Sequence, residues 1–216
     1  KNKIKREHLH SCPTLDVGAK VSFIGAGSYA VSKLIPNFKR QNLCLHTVIS
    51  QSGVSGFHAA KKFGFENIGS DTAAVFADAE TDIVVVATRH DTHAEFVVEA
   101  LEAGKHVFVE KPMCLNLSDL AKIKRAYNRV KKKFEITPLL MVGYNRRFAP
   151  HTYKMRQLLL QKLGPKFINV VINAGYVDAD HWTRDKKAGG GRIVGEACHF
   201  IDLMRFLIGN PIILEI

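Results

Sequence analysis

The sequence predicts an α/β protein: a doubly wound parallel sheet followed by the start of an incomplete α+β domain. Three observations carry this. A short apolar strand, Lys20 to Ile24, runs directly into a glycine turn that opens a helix. Apolar strands and helix-length segments then alternate as far as residue 142. The strand Ile83 to Ala87 is apolar at every position, as a sheet covered on both faces requires.

The elements follow in order. Gly25-Ala26-Gly27-Ser28-Tyr29-Ala30 sits between the first strand and a helix reaching about Arg40. This is the arrangement of a dinucleotide fingerprint: Gly25 makes the turn, Gly27 admits a pyrophosphate close to the backbone, and Ala30 takes the third small position. The helix amino terminus faces that charge. Strands are expected at 44–50, 82–88, 105–109 and 138–142, with helices at 55–64, 91–103 and 116–132. The polar stretch 1–17 reads as a leader or linker, 18–137 as the nucleotide-binding domain and 138–216 as part of a substrate and oligomerisation domain.

In that last part, His151 to Lys162 is expected as a helix and Phe167 to Tyr176, which alternates, as a strand. Gly189-Gly190-Gly191 introduces a helix from Ile193 to Leu207. Its stripe of Ile193, Ala197, Phe200, Ile201, Met204 and Leu207 or Ile208 is expected to be buried.

Composition excludes several functions. The longest apolar run is far too short for a membrane span, and the leader has no apolar core of a secretion signal. Cysteines at 12, 44, 114 and 198 form no regular framework, which fits a reducing, cytoplasmic setting. His8, His10 and Cys12 fall in the polar leader, and no zinc-ligand spacing occurs, so no metal is expected. The net charge of +11 comes without any nucleic-acid signature. It reads as attraction for small phosphorylated ligands.

Two places carry candidate chemistry. Lys105 to Pro112 ends a strand on Glu110-Lys111-Pro112, and ligands of open α/β sheets sit beyond the carboxyl ends of strands. Lys111 therefore points into the expected crevice. On the last helix, Glu196, His199 and Asp202 recur every three residues, which sets both acids about 60° to either side of the imidazole. The second strand ends on Ser50-Gln51-Ser52 with no acid to hold a ribose hydroxyl, so Ser50 and Ser52 tilt the expectation toward NADP over NAD.

Taken together, GAGSYA at 25–30, ATRHDTHA at 87–94, GKHVFVEKP at 104–112, MVGYNRRF at 141–148 and GGGRIVGEACHFID at 189–202 resemble the glucose-fructose oxidoreductase and inositol dehydrogenase (Gfo/Idh/MocA) family. The variants are most similar to the branch fused behind a zinc-type alcohol dehydrogenase module, so the resemblance implies a fragment of a longer polypeptide. It implies a Rossmann-type domain and an NAD(P)-dependent oxidoreductase acting on a CH–OH carbon of a sugar, polyol or nucleotide sugar. Lys111 and His199 fall on the family's catalytic lysine and histidine. Thr88 and His93 match its cofactor loop; Arg89 and His90 depart from it. Gly25, Ala26, Gly27, Ser28, Tyr29, Ala30, Ser50, Thr88, Arg89, His93, Glu110 and Lys111 are then expected around the cofactor. Tyr144, Asn145, Arg146, His181, Trp182, Asp185, Glu196 and Asp202 are expected around the substrate. The family aspartate four residues before the histidine is Gly195 here, and either Glu196 or Asp202 could orient His199 instead. A homo-oligomer is expected of the full-length protein. Loss of that aspartate leaves a second expectation open, a non-catalytic dinucleotide-binding or sensor module.

Overall fold

The computed structural model describes residues 7–8, 18–51 and 53–209. It divides into two units, 1–142 and 143–216.

The first unit is a seven-stranded sheet. Its strands are β1 (Glu7–His8), β2 (Lys20–Ile24), β3 (Cys44–Ile49), β4 (Asn67–Gly69), β5 (Ile83–Val86), β6 (His106–Val109) and β7 (Leu140–Val142), in the order β1-β4-β3-β2-β5-β6-β7. β1 pairs antiparallel with β4, and the other six are parallel. The chain winds outward from β2 in one direction and from β5 in the other, which puts the topological switch point between those two strands.

Burial follows from that topology. Val21, Phe23, Val84, Val85 and Val86 are fully enclosed, because central strands are covered on both faces. Ser22 shares their burial, and its hydroxyl is paired with that of Thr81 at 2.8 Å. One face is closed by a π-turn at Ala30–Leu34 that runs into α1 (Ile35–Lys39), and by α2 (Val54–Phe63). Phe23 there meets Phe38 and Phe65 edge-on, at 5.4 and 5.7 Å. The other face is closed by α3 (Ala73–Ala77), α4 (His93–Glu102) and α5 (Leu117–Lys133). α5 starts where the Asn116 side chain accepts from the Asp119 amide, buries Ile123, Ala126 and Val130, and ends in three lysines that suit the helix dipole.

β4 and α3 are not foreseen by the sequence reading, because a three-residue Asn-Ile-Gly strand shows no periodicity. Leu140–Val142 pairs with β6, and the first compact unit runs to Val142. Glu7–His8 makes part of the expected leader a sheet edge; His10 and Cys12 lie outside the described residues.

The second unit holds α6 (Pro150–Leu160) and α7 (Cys198–Ile208), with 3-10 turns at Asn145–Phe148 and Trp182–Arg184 and a π-turn at Ile193–Ala197 leading into α7. Two expectations fail. Residues 167–176 form no strand, and Phe167, Val171 and Tyr176 are 93%, 87% and 85% exposed. An alternating segment becomes a strand only against a neighbour, and the described residues offer it none. The stripe on the last helix is also incomplete: Leu207 is buried, but Ile193 and Ile201 are exposed. The π-turn widens the helix under Ile193 and breaks the angular spacing that a uniform α-helix would keep.

Candidate cofactor and substrate sites

In the first unit, the expected cofactor residues converge at the carboxyl ends of adjacent parallel strands. Gly25 follows β2 with φ +105°, and a Cβ there would lie 2.4 Å from the Ala87 carbonyl oxygen. Only glycine fits, because the Gly25 amide also donates to Ile49 at 2.9 Å, wedging the turn between the ends of β3 and β5. Gly27, Ser28 and Tyr29 are exposed, and a Cβ on Gly27 would meet nothing within 4 Å. That open backbone fits the approach of a pyrophosphate. Ala26 and Ala30 are buried; they pack the turn against the sheet and do not face the crevice.

Ser50 follows β3. It is 5% exposed, and its hydroxyl lies 2.6 Å from that of Ser55 at the start of α2. Ser52 lies outside the described residues. Thr88 and the exposed Arg89 follow β5, where Thr88 Oγ1 meets Thr92 Oγ1 at 2.6 Å. His93 is expected beside the cofactor but is fully enclosed. Its Nδ1 lies 2.8 Å from the Pro112 carbonyl and its Nε2 3.2 Å from that of Thr88, so the ring sits between the loops after β5 and β6 and its one N–H donates to one of them. Burial holds its pKa below the usual histidine value, against the pull of those two carbonyls.

Glu110 and Lys111 follow β6, with the Lys111–Pro112 peptide cis and both side chains half-buried. Burial pushes the Glu110 carboxyl up to about 7, only partly offset by the Lys111 amide and charge. The Lys111 amide donates to Glu110 Oε2 at 3.3 Å.

The second unit builds a different kind of site. Tyr144 lies edge-on to His199, with ring centroids 6.1 Å apart. Asp202 is 6% exposed and accepts a two-pronged contact from Arg147, whose Nε donates to Oδ2 at 2.5 Å. That hydrogen bond raises the Arg147 pKa further. Arg146 lies over the Phe200 ring at 4.4 Å, in cation–π geometry. Asn145 is exposed at the start of its turn.

Glu196 and His181 line one cleft of about 390 Å³, with Tyr176, Asp178, Thr183 and Arg192. His181 Nδ1 lies 2.8 Å from Thr183 Oγ1, and its ring leans on Trp182. Asp185 holds the glycine turn, accepting from the Lys187 amide at 2.7 Å and, through its carbonyl, from Gly189 at 2.8 Å. Gly189 is needed there because a Cβ would fall 2.5 Å from Thr183 Cα. Asp178, Thr183 and Arg192 are missed by the sequence reading. The acidic run Asp178-Ala179-Asp180 ahead of His181 was the available signal for the first of them.

Residues 19–137 match the oxidoreductase family GFO_IDH_MocA, described by its NAD-binding Rossmann fold. The chain belongs to this family. Among curated proteins it is similar to inositol 2-dehydrogenase 2 of Saccharopolyspora erythraea, with 33% identity over 68% of this chain and 40% of that protein. It is similar also to levoglucosan dehydrogenase of Pseudarthrobacter phenanthrenivorans, with 30% identity over 70% of this chain and 39% of that protein. A solved levoglucosan dehydrogenase in complex with NADH shares the fold at TM-score 0.71 and 24% identity, over 89% of this chain and 54% of that one. The chain thus spans about 40% of the length of these curated relatives. Among the described residues, no helix is long and apolar enough to cross a membrane.

Proposed function

We propose that this protein is a cytoplasmic, homo-oligomeric NAD(P)-dependent dehydrogenase acting on a CH–OH group of a sugar, polyol or nucleotide sugar. The observation that carries this is the row of Gly25, Gly27, Thr88, Glu110 and Lys111 along the carboxyl ends of β2, β5 and β6, in a chain whose curated relatives are named as inositol and levoglucosan dehydrogenases. Bound at the glycine turn, a nicotinamide cofactor supplies the hydride acceptor. Lys111 donates a hydrogen bond to the substrate oxygen, and His199 takes the hydroxyl proton. Tyr144 steadies the imidazole, and the cleft containing His181, Glu196, Asp178 and Arg192 offers the mixed donors and acceptors that sugar hydroxyls require. Asp202 positions Arg147 and takes no part in the chemistry.

The absence of a carboxylate after β3 and the hydroxyl pair of Ser50 and Ser55 favour NADP over NAD. Thermal shift with each cofactor checks this, and equal or absent stabilisation would remove the preference. For catalysis, Lys111→Ala and His199→Ala in the full-length protein are expected to lower cofactor reduction by about 10²- to 10⁴-fold each. If both variants still turn over, the assignment of Lys111 and His199 fails; if the unmodified protein binds the cofactor and reduces none with such substrates, a non-catalytic dinucleotide-binding module, consistent with Gly195 in place of the family aspartate, takes its place.

A further inference from the structure

Away from the cofactor crevice, at the amino-terminal edge of the sheet, the chain gathers a second polar cluster. His46 is the third residue of β3 and is 1% exposed. Its Nδ1 contacts Glu66 Oε2, just before β4, and its Nε2 lies 2.9 Å from Asp78 Oδ2, in the turn between α3 and β5. Glu80 from the same turn converges on this side, so that one donor atom each from His46, Asp78 and Glu80 lie within 4.8 Å of one another. Lys20, at the start of β2, reaches Glu80 at 2.8 Å and Glu66 at 3.5 Å.

An imidazole with a carboxylate oxygen against each nitrogen poses a chemical problem. A neutral ring has one N–H, so it can donate to only one of the two acids. The other contact sets a nitrogen lone pair against an anionic oxygen and requires a cation between them, either a second proton or a metal ion. The surroundings favour the metal on the Nε2 side. Glu66 occupies Nδ1, which fixes the tautomer and orients the ring as the outer carboxylate of a carboxylate–histidine–metal triad does. Asp78 adds an oxygen where Nε2 points, and Glu80 adds a second within the same 4.8 Å cluster, giving the N/O donor set that zinc accepts. Two ligands on one zinc ion stand roughly 3.3 Å apart, a few tenths of an ångström beyond the present His46–Asp78 separation. The Glu80 side chain is 61% exposed and free to swing from Lys20 to the ion, while Lys20 keeps Glu66 and its backbone bond to Asp82 at 2.8 Å.

We infer that His46, Asp78 and Glu80 form a zinc-class divalent cation site, with Glu66 as the outer carboxylate on His46. The site pins β3 to the turn that enters β5. It stands at the end of the strands opposite the glycine turn and is independent of the hydride-transfer reading.

The test is zinc titration of the chelator-treated 216-residue chain, by calorimetry and thermal unfolding. One equivalent is expected to bind and to raise the unfolding temperature. Glu80→Gln changes an exposed side chain and keeps the fold; it and Asp78→Asn are expected to weaken zinc binding by at least about tenfold, and Glu66→Gln by about ten- to hundredfold. Circular dichroism confirms that each variant is folded. The proposal is overturned if the unmodified chain binds no zinc, or if zinc binds with undiminished affinity to folded Glu80→Gln and Asp78→Asn, which would place the ion elsewhere.

Discussion

The two units position their functional side chains by different means. In the first, the residues around the glycine turn hang from strand ends, and the backbone ladders of a parallel sheet fix their places. In the second, the described residues form helices and turns, and side chains do the fixing: Arg147 on Asp202, Arg146 over Phe200, and Arg156 on the Phe206 carbonyl at 3.1 Å with its guanidinium over the same ring. A site hung on a sheet is insensitive to any one polar contact but depends on the apolar core beneath it. A site held by ion pairs reverses that dependence.

Mutations can break the contrast, the largest effect first. Phe23→Ala removes the ring against which Phe38 and Phe65 pack, and is expected to destabilise the first unit by about 3–5 kcal/mol in denaturant unfolding. A loss below about 1 kcal/mol would show that the sheet does not depend on this cluster. Gly25→Ala puts a methyl group against Ala87 and strains a backbone at positive φ. About 2–3 kcal/mol of stability should go, together with cofactor-induced thermal stabilisation.

Glu110 sharpens the comparison through pH. Its folded pKa, about 7, is raised above the ordinary 4.5, so the native state holds this proton more tightly than the unfolded chain. The contribution is fully present below about 4.5 and is lost as pH rises through about 7. Glu110→Gln should flatten that fall, which is on the order of 2–3 kcal/mol, in unfolding measured across the window. An unchanged slope would return Glu110 to the solvent.

In the second unit, Asp202→Ala leaves Arg147 without its carboxylate. The Arg147 side chain is 36% exposed, so water recovers part of the loss and about 1–2 kcal/mol is expected. A double-mutant cycle with Arg147→Ala measures the coupling. At the small end, Phe167→Ser should change stability by less than about 0.5 kcal/mol, since the ring is 93% exposed. A larger loss would mean that residues 167–176 are packed after all.

The difference between the units also explains what could be read in advance. Strands β2, β3, β5 and β6 were legible because burial in the sheet leaves mostly apolar runs, and Gly25 because its turn tolerates no Cβ. β4 was not legible, since three residues carry no period and only pairing with neighbouring strands makes them a strand. Residues 167–176 carried the alternation of a strand, but alternation describes faces and does not supply a partner. Lys111 was readable from its place at a strand end, whereas His93 matched a motif and proved to sit between two loops.

The order of residues was enough to set the first unit's architecture and the row of residues along its strand ends, because a glycine turn and apolar runs are local consequences of composition and order. Which charges meet was settled by folding. It gave Asp202 to Arg147, and it brought His46, Glu66 and Asp78 together from three separate segments. The physical reason is range: backbone preference acts within a few residues, while a carboxylate finds its partner only after the chain has folded to bring the two within about 3 Å.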